Sequence, residues 1–222
     1  MSAEMPAGTT ELMNSASGTV LDVGPGTGTQ MHLFDPSKII KMYGVEPAVD
    51  MHPELRTNAE KHGFKGKYEI IAAGAEVTSL IPALAKEGLL LKFKDGSYEC
   101  AGVFDTIICC RVLCGVPEEA ETVEGLYRCL KPGGRMLVYE HVVNPWPDGG
   151  SPVAAFLQRI YMLMGCSFWL GGCCLDRDTE KILRDVAMED GGWEKVQIKL
   201  LGSWTTMPFI VGELVKKNKL AT

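Results

Sequence analysis

One short stretch constrains this chain more than any other. Gly18 to Val23 (GTVLDV) is an aliphatic run without polar alternation, and it passes directly into the glycine-rich turn GPGTGT. Such a run suits a strand buried on both faces, and strands of that kind belong to parallel sheets covered by helices. Glycines at 24, 26 and 28 let the backbone turn sharply out of the strand and let a ligand approach the main chain closely. The chain is therefore expected to build a sheet with crossover connections.

The remaining residues supply the elements that such a sheet needs. Ile39 to Glu46 reads as a second strand, and the connector TGTQMHLFDPSK before it has room for about two to three helical turns. Residues 51–62 fit a helix, 67–72 a third strand and 76–86 a weaker helix. The segment 92–102 carries an Asp-Gly turn signal and is expected to form a loop or small hairpin. Val103 to Cys109 is a fourth strand, 118–130 a helix stopped by KPGG, and Arg135 to Glu140 a fifth strand. Prolines and glycines mark a loop at 145–152. From Ile160 to Leu175 there are 16 uncharged residues interrupted by Gly165, Gly171 and Gly172, short of the ~20 of a spanning helix, so a buried or lid helix is expected. A helix at 176–188 and two strands, 196–201 and 209–215, joined by a tight turn, complete the pattern. The fold class is a doubly wound α/β sheet of seven strands with a closing antiparallel hairpin and helices on both faces. At 222 residues the chain is read as one domain, 1–222, with a ligand-binding core at 18–142 and substrate-side helices and hairpin at 143–222.

Charge and cysteine usage narrow the function. Lysine plus arginine number 22 against 28 acids, a net charge of −6, which excludes the broad basic surface that nucleic acid partners need. The opening residues MSAEMPAGTTELMNSASG lack both a basic start and an apolar run, so no secretory signal or membrane span is expected and a cytoplasmic location follows. Peripheral membrane contact stays open, and the pattern carries no signal for an oligomeric state. The eight cysteines, at 100, 109, 110, 114, 129, 166, 173 and 174, contain no CxxC. They read as small buried side chains in a reducing compartment, and neither a metal site nor a disulfide scaffold is expected.

The glycine turn also carries chemical information. A dinucleotide fingerprint, GxGxxG, would need its third glycine at position 29, which is Thr29. The carboxylate of Asp22 beside the turn would repel a pyrophosphate, whereas a ligand bearing an ammonium or sulfonium charge would be attracted. A nicotinamide-dependent oxidoreductase is disfavoured on both counts, and the expected ligand is a cationic nucleoside. Glu46 ends the second strand, 24 residues after Asp22, where a carboxylate can accept hydrogen bonds from both hydroxyls of a ribose; a solvated acid at a strand end is the alternative.

With its preceding aliphatic run, VLDVGPGTGT resembles the first motif of the class I S-adenosylmethionine-dependent methyltransferases, an acid followed by Gly-x-Gly-x-Gly. The resemblance implies a Rossmann-like fold, S-adenosyl-L-methionine as cofactor, and methyl transfer by in-line displacement to a small-molecule acceptor. It implies cofactor contacts from Asp22, Gly24, Gly26, Thr27 and Gly28, and ribose recognition by Glu46 with Pro47 beside it. After the third strand, Gly74 stands where the family often has an acid, so Ala75 N–H and Glu76 become the candidates at the adenine; Glu76 as a helix-terminal acid is equally compatible. Cys110 and Arg111 are expected to contribute backbone contacts beneath the methionyl part.

The segments IICCRVLCGV, GGRMLVYEHV, GGCCLDRDTEKIL and SWTTMPFIVGELVKK resemble, more narrowly, the small thiol S-methyltransferases of animal endoplasmic reticulum and lipid droplets and their microbial relatives. That favours a thiol acceptor. O- or N-methylation of a lipid-like or secondary metabolite, or cofactor binding without methyl transfer, are the alternatives. Those animal proteins begin with an apolar anchor, whereas 17 residues precede Gly18 here, so membrane attachment is not carried over and part of a substrate lid is expected to be missing. His141, at the end of the fifth strand, is the candidate general base, with a hydrogen-bonded structural histidine as the other reading. Trp146, Trp169 and Trp204, with Phe168, are candidates for an apolar acceptor wall or for core filling, and Arg159 and Arg177 for orienting an anionic acceptor.

Overall fold

The computed structural model describes residues 8–92, 98–99 and 102–218. Its sheet is built from β1 (Gly18–Val23), β2 (Ile39–Val45), β3 (Tyr68–Ile71), β4 (Phe104–Cys110), β5 (Leu130–His141), β6 (Lys195–Leu201) and β7 (Phe209–Val215). The spatial order is β3-β2-β1-β4-β5-β7-β6. β1 to β5 run parallel, and β7 pairs antiparallel with both β5 and β6. This is the expected doubly wound, Rossmann-like sheet with its carboxyl-terminal hairpin.

Alternation along the strands divides the core into two layers. Leu21 and Val23 of β1, Ile107 and Cys109 of β4, and Met136 and Val138 of β5 point to one face. There they meet Leu80 and Leu84 of α3 (Val77–Lys86), Val123 and Leu126 of α4 (Glu119–Cys129), and Leu183 of α7 (Thr179–Asp185). Val20, Ile108, Leu137 and Tyr139 point to the other face. They pack on Met13 of α1 (Thr9–Asn14) and on Leu55 and Ala59 of α2 (His52–Lys61). Burial on both faces is why these strands lack polar alternation.

Three expectations are corrected. The connector after β1 forms only a single 3-10 turn, Met31–Leu33, in place of two or three helical turns. The glycine turn consumes its first residues, and Asp35 precedes a proline, which disfavours helix there; Met31, Leu33 and Phe34 are buried on the sheet in the helix's stead. The uncharged segment is not a buried helix. It divides into α5 (Pro152–Leu163) and α6 (Cys166–Trp169) about Gly165, whose φ is 73°, and within α5 only Ala154 and Gln158 are buried. The last two strands are joined by residues 202–208, longer than a tight turn, and the final strand lies inside the sheet, with β6 at its edge. Leu91–Lys92 pairs antiparallel with Tyr98–Glu99, while the Asp-Gly dipeptide between them lies outside the described residues. Among the described residues no helix is long and apolar enough to cross a membrane.

Candidate functional site

Strand order reverses between β1 and β4, and in a sheet of this kind ligands bind beyond the carboxyl ends of the strands at that point. Register brings the ends together: Val23 lies beside Val45 on one side and Cys109 on the other. Gly24, Glu46 and Cys110, each following directly on one of these residues, therefore sit at one edge.

The turn after β1 is held open by its own hydrogen bonds. Gly24 N–H donates to Val45 O at 2.9 Å and Gly28 N–H to Pro25 O at 2.9 Å, while Asn58 Nδ2 of α2 donates to Thr27 O at 2.8 Å. Gly24 has φ 60°, and a Cβ on it would stand 2.5 Å from Val112 Cγ2, so the turn packs directly against the segment after β4. Gly26, with φ 59°, would meet only Met51 Sδ at 3.9 Å and so presents bare backbone to open space. Glu46, 6% exposed, spans the turn, its Oε2 accepting from Gly26 N–H and its Oε1 from Ala48 N–H, both at 2.9 Å. Each oxygen keeps a further lone pair. Pro47 is exposed beside it.

Asp22 lies beneath the turn and is fully buried. Tyr68 donates its hydroxyl to Oδ2 at 3.0 Å, and Oδ1 is buried with no hydrogen-bond partner among the described residues. Burial pushes the carboxyl up to about 7, the Tyr68 hydroxyl and the nearby Gln30 amide draw it partway back, and the charge of Glu46 raises it again. Gly44, the register partner of Asp22, makes the Tyr68 contact feasible: a Cβ there would lie 2.1 Å from the tyrosine oxygen. The sequence reading missed both Gly44 and Tyr68. A glycine inside a strand pattern is the signal of close approach that could have found them.

Beyond β3, Gly74 N–H donates to Ser79 Oγ at 2.9 Å. The carboxylate of Glu76 folds back over Gly74, its Oε2 only 2.2 Å from where a Cβ on that glycine would stand. The acid absent at 74 is thus replaced in space by the acid two residues on, with Ala75 buried between them. Beyond β4, Arg111 takes the left-handed conformation (φ 57°) that few side-chain-bearing residues adopt, and its N–H donates to Tyr139 O at 2.8 Å. The Cys110 side chain is buried in the sheet and its thiol is pushed up to about 12 by that burial. Glu140, fully buried, accepts from the N–H groups of Val112 at 2.9 Å and Leu113 at 3.0 Å, and burial raises its carboxyl to about 8. It organises the turn after β4, a role the sequence reading did not assign.

His141, next to Glu140, does not stand alone. Its Nδ1 lies 3.3 Å from Cys173 Sγ, and its ring centroid is 4.0 Å from that of Phe209. The thiol of Cys114 lies within 4.8 Å of that of Cys173. Cys173 is the more acidic of the pair because the Cys114 thiol, the His141 ring and the Arg177 charge all favour its thiolate, whereas Cys114 is raised by the same pairing and by burial. The reading of the cysteines as small buried side chains holds for Cys109, Cys110, Cys114 and Cys173, of which 114 and 173 meet only through the fold, whereas Cys166 and Cys174 are half-buried. Cys129 departs from it as well, being disulfide-bonded.

The acceptor-side candidates are dispersed. Trp146, Trp169 and Trp204 are 49%, 80% and 72% exposed, which places them on the surface and not around an enclosed wall or in the core. Arg159 is exposed. Arg177 donates from Nη1 to the carbonyls of Leu113 at 2.6 Å and Val116 at 2.8 Å, so it is committed to bracing the turn after β4. Helix α5 is anchored by polar contacts: Gln158 accepts from Asn144 N–H at 2.9 Å and donates to the carbonyls of Val142 and Thr206.

Comparison with known proteins agrees with this architecture. Residues 1–164 match the family model described as a methyltransferase domain. The chain is 25% identical over 207 residues to the human thiol S-methyltransferase TMT1B, covering 92% of this chain and 74% of that one. It is 24% identical over 184 residues to the phosphatidylethanolamine N-methyltransferase of Cereibacter sphaeroides, covering 81% and 78%. A crystal structure from Bacillus halodurans described as a methyltransferase superposes with a TM-score of 0.64 at 15% identity, covering 96% of this chain and all of the other.

Proposed function

The chain belongs to the methyltransferase-domain family as a class I S-adenosylmethionine-dependent methyltransferase, and from that premise we propose that its acceptor is a small thiol. The cofactor is S-adenosyl-L-methionine, and two features of the turn suit it. Asp22 holds a buried oxygen without a donor among the described residues, which a cationic ligand would satisfy, and Gly26 offers open main chain where a side chain would intrude. When bound, the cofactor supplies a methyl group already activated on a sulfonium.

We assign Asp22 to the ammonium group, acting from beneath the turn, Gly24, Gly26, Thr27 and Gly28 to the methionyl and ribose edge, and Glu46 with Pro47 to the ribose hydroxyls. Ala75 N–H and the folded-back Glu76 face the adenine, and the backbone of Cys110 and Arg111 underlies the methionyl chain. The protein's contribution to rate is positioning and exclusion of water. An acceptor thiol reacts as its thiolate. His141 stands at the carboxyl end of β5 with Nδ1 turned to Cys173, leaving Nε2 to receive the acceptor's proton.

The observation that carries the thiol reading is the likeness to thiol S-methyltransferases across 92% of the chain, which takes in the acceptor-side third as well as the cofactor core. A second reading, N-methylation of a phospholipid-like amine, draws on the Cereibacter relative and on the exposed apolar surface of α5 and α6, where Phe156, Leu163, Phe168 and Trp169 are each more than 60% exposed. The test is transfer of a labelled methyl group to a small alkyl thiol, its alcohol and amine analogues, and phosphatidylethanolamine vesicles, offered separately. Label in the thioether supports the thiol; label in the phospholipid transfers the reading to the amine.

A further inference from the structure

Cys114, His141 and Cys173 offer three soft or borderline ligand atoms, Sγ, Nδ1 and Sγ, all within 4.8 Å of one another. A tetrahedral zinc ion, with bonds of about 2.3 Å to sulfur and about 2.0 Å to nitrogen, spaces its ligand atoms roughly 3.5 to 3.8 Å apart. His141 Nδ1 and Cys173 Sγ lie 3.3 Å apart and no pair is farther apart than 4.8 Å, so small side-chain rotations convert the cluster into a ligand set. The three segments are also held together by the main chain. Cys174 N–H donates to Cys114 O at 2.8 Å, Leu113, next to Cys114, is fixed by Glu140 and Arg177, and His141 lies in register with Phe209. Both thiols are buried and the imidazole is half-buried, which leaves one side of the cluster open.

We propose that Cys114, Cys173 and His141 form a binding site for a zinc-type divalent ion at the carboxyl end of β4 and β5, with the fourth coordination position open to the acceptor thiol. Three protein ligands and one open position are the pattern of a zinc ion that takes part in chemistry, whereas structural sites are closed by four. Two thiolates and a neutral imidazole bring the ion to zero net charge, so an acceptor thiolate adds one negative charge; the nearby Arg177 guanidinium, itself 3.9 Å from the Glu119 carboxylate, offsets part of it. The acceptor S–H proton leaves to water when its sulfur binds. The new carbon–sulfur bond then forms as the sulfonium carbon–sulfur bond breaks, its electron pair staying on the cofactor sulfur. The fourth-position role rests on the thiol reading and recasts His141 from base to ligand; the three-ligand site does not depend on it.

The experiment is metal analysis of the full chain, stripped with chelator, reloaded with zinc or cobalt(II) alone and freed of excess ion. The expected result is one ion per chain and, with cobalt, the sulfur-to-metal charge-transfer band and strong visible absorption of a tetrahedral site. Cys114→Ser and Cys173→Ser each lose that band, whereas Cys174→Ser, one residue outside the cluster, keeps it. Because either serine variant can lose the ion by misfolding, Cys173→His provides a second arm, retaining the ion with a weaker sulfur band. No stable ion on the wild-type chain, full loading of Cys114→Ser, or isolation with a 114–173 disulfide that takes up no metal after reduction overturns the site. Thiol methylation by a chain that binds no zinc overturns the inference alone. Zinc binding without thiol methylation overturns the acceptor reading and leaves the metal site standing.

Discussion

The floor beneath the glycine turn and the helical flap after β5 are built on opposite terms. Beneath the turn, Asp22, Tyr68, Gly44 and Glu46 are tied by short hydrogen bonds and by steric exclusion, and strands on either side fix their register. Over the flap, α5 buries only Ala154 and Gln158, and α6 is a single turn of four residues with no buried side chain. The first region is fixed by these contacts, which suits the proposed single cofactor pose. The second is tethered at Asn144 and Gln158 and otherwise presents apolar surface.

Substitutions that break the first region should therefore cost far more than any in the second. Gly44→Ala drives a methyl group into Tyr68, which combines overpacking with a buried carboxylate stripped of its hydroxyl donor, and should lower folding stability by about 3 to 5 kcal/mol. Chemical denaturation reads this directly, and a loss within experimental scatter would show that the Tyr68–Asp22 contact is dispensable.

The raised carboxyl of Asp22 has an effect of similar size. Unfolded, this group ionises near 3.8, and folded near 7, so between those values the folded chain holds the extra proton. Stability contributed by the proton is complete below about 4, falls as pH rises toward 7 and is gone above it, a change of roughly 3 to 6 kcal/mol. Comparing urea midpoints of the ligand-free chain across that window with those of Asp22→Asn isolates the effect: the variant loses this component of the slope. A ligand that pairs with the ionised carboxylate should bind more tightly as pH rises to about 7, and no more tightly beyond.

Gly26→Ala is smaller and more selective. The new methyl group meets open space, so its stability cost is only the left-handed backbone penalty of roughly 1 to 2 kcal/mol, but it narrows the surface offered to the cofactor. Thermal unfolding and calorimetric titration should separate the two. In the flap, Trp169→Ala should change stability by less than about 0.5 kcal/mol and leave cofactor affinity alone, while raising the KM for the acceptor. An altered cofactor affinity would mean that the two regions are coupled.

How far each region could be read in the sequence follows the same division. β1 was legible to the residue because Gly18 to Val23 is β-branched and aliphatic apart from Asp22 and is bounded by glycines, and the position of Glu46 followed from its place at the end of the second aliphatic run. The helix expected between β1 and β2 was not there, since local pattern does not reveal that a turn and an Asp-Pro pair leave too few residues to propagate one. Positions 114, 141 and 173 could not be grouped at all, because a cluster drawn from one strand end and two separate loops leaves no spacing in the sequence. The flap misled for another reason. Its hydrophobic composition resembles a core helix, and only the sheet's geometry places it outside.

The central claim is that Asp22, from beneath the glycine turn, receives the cationic end of the cofactor. Calorimetric titration of S-adenosylhomocysteine into the wild-type chain and into Asp22→Ala tests it most directly. One site per chain is predicted, weakened in the variant by about 1 to 3 kcal/mol, as for a lost charged hydrogen bond. Equal affinity in the two proteins would contradict the assignment.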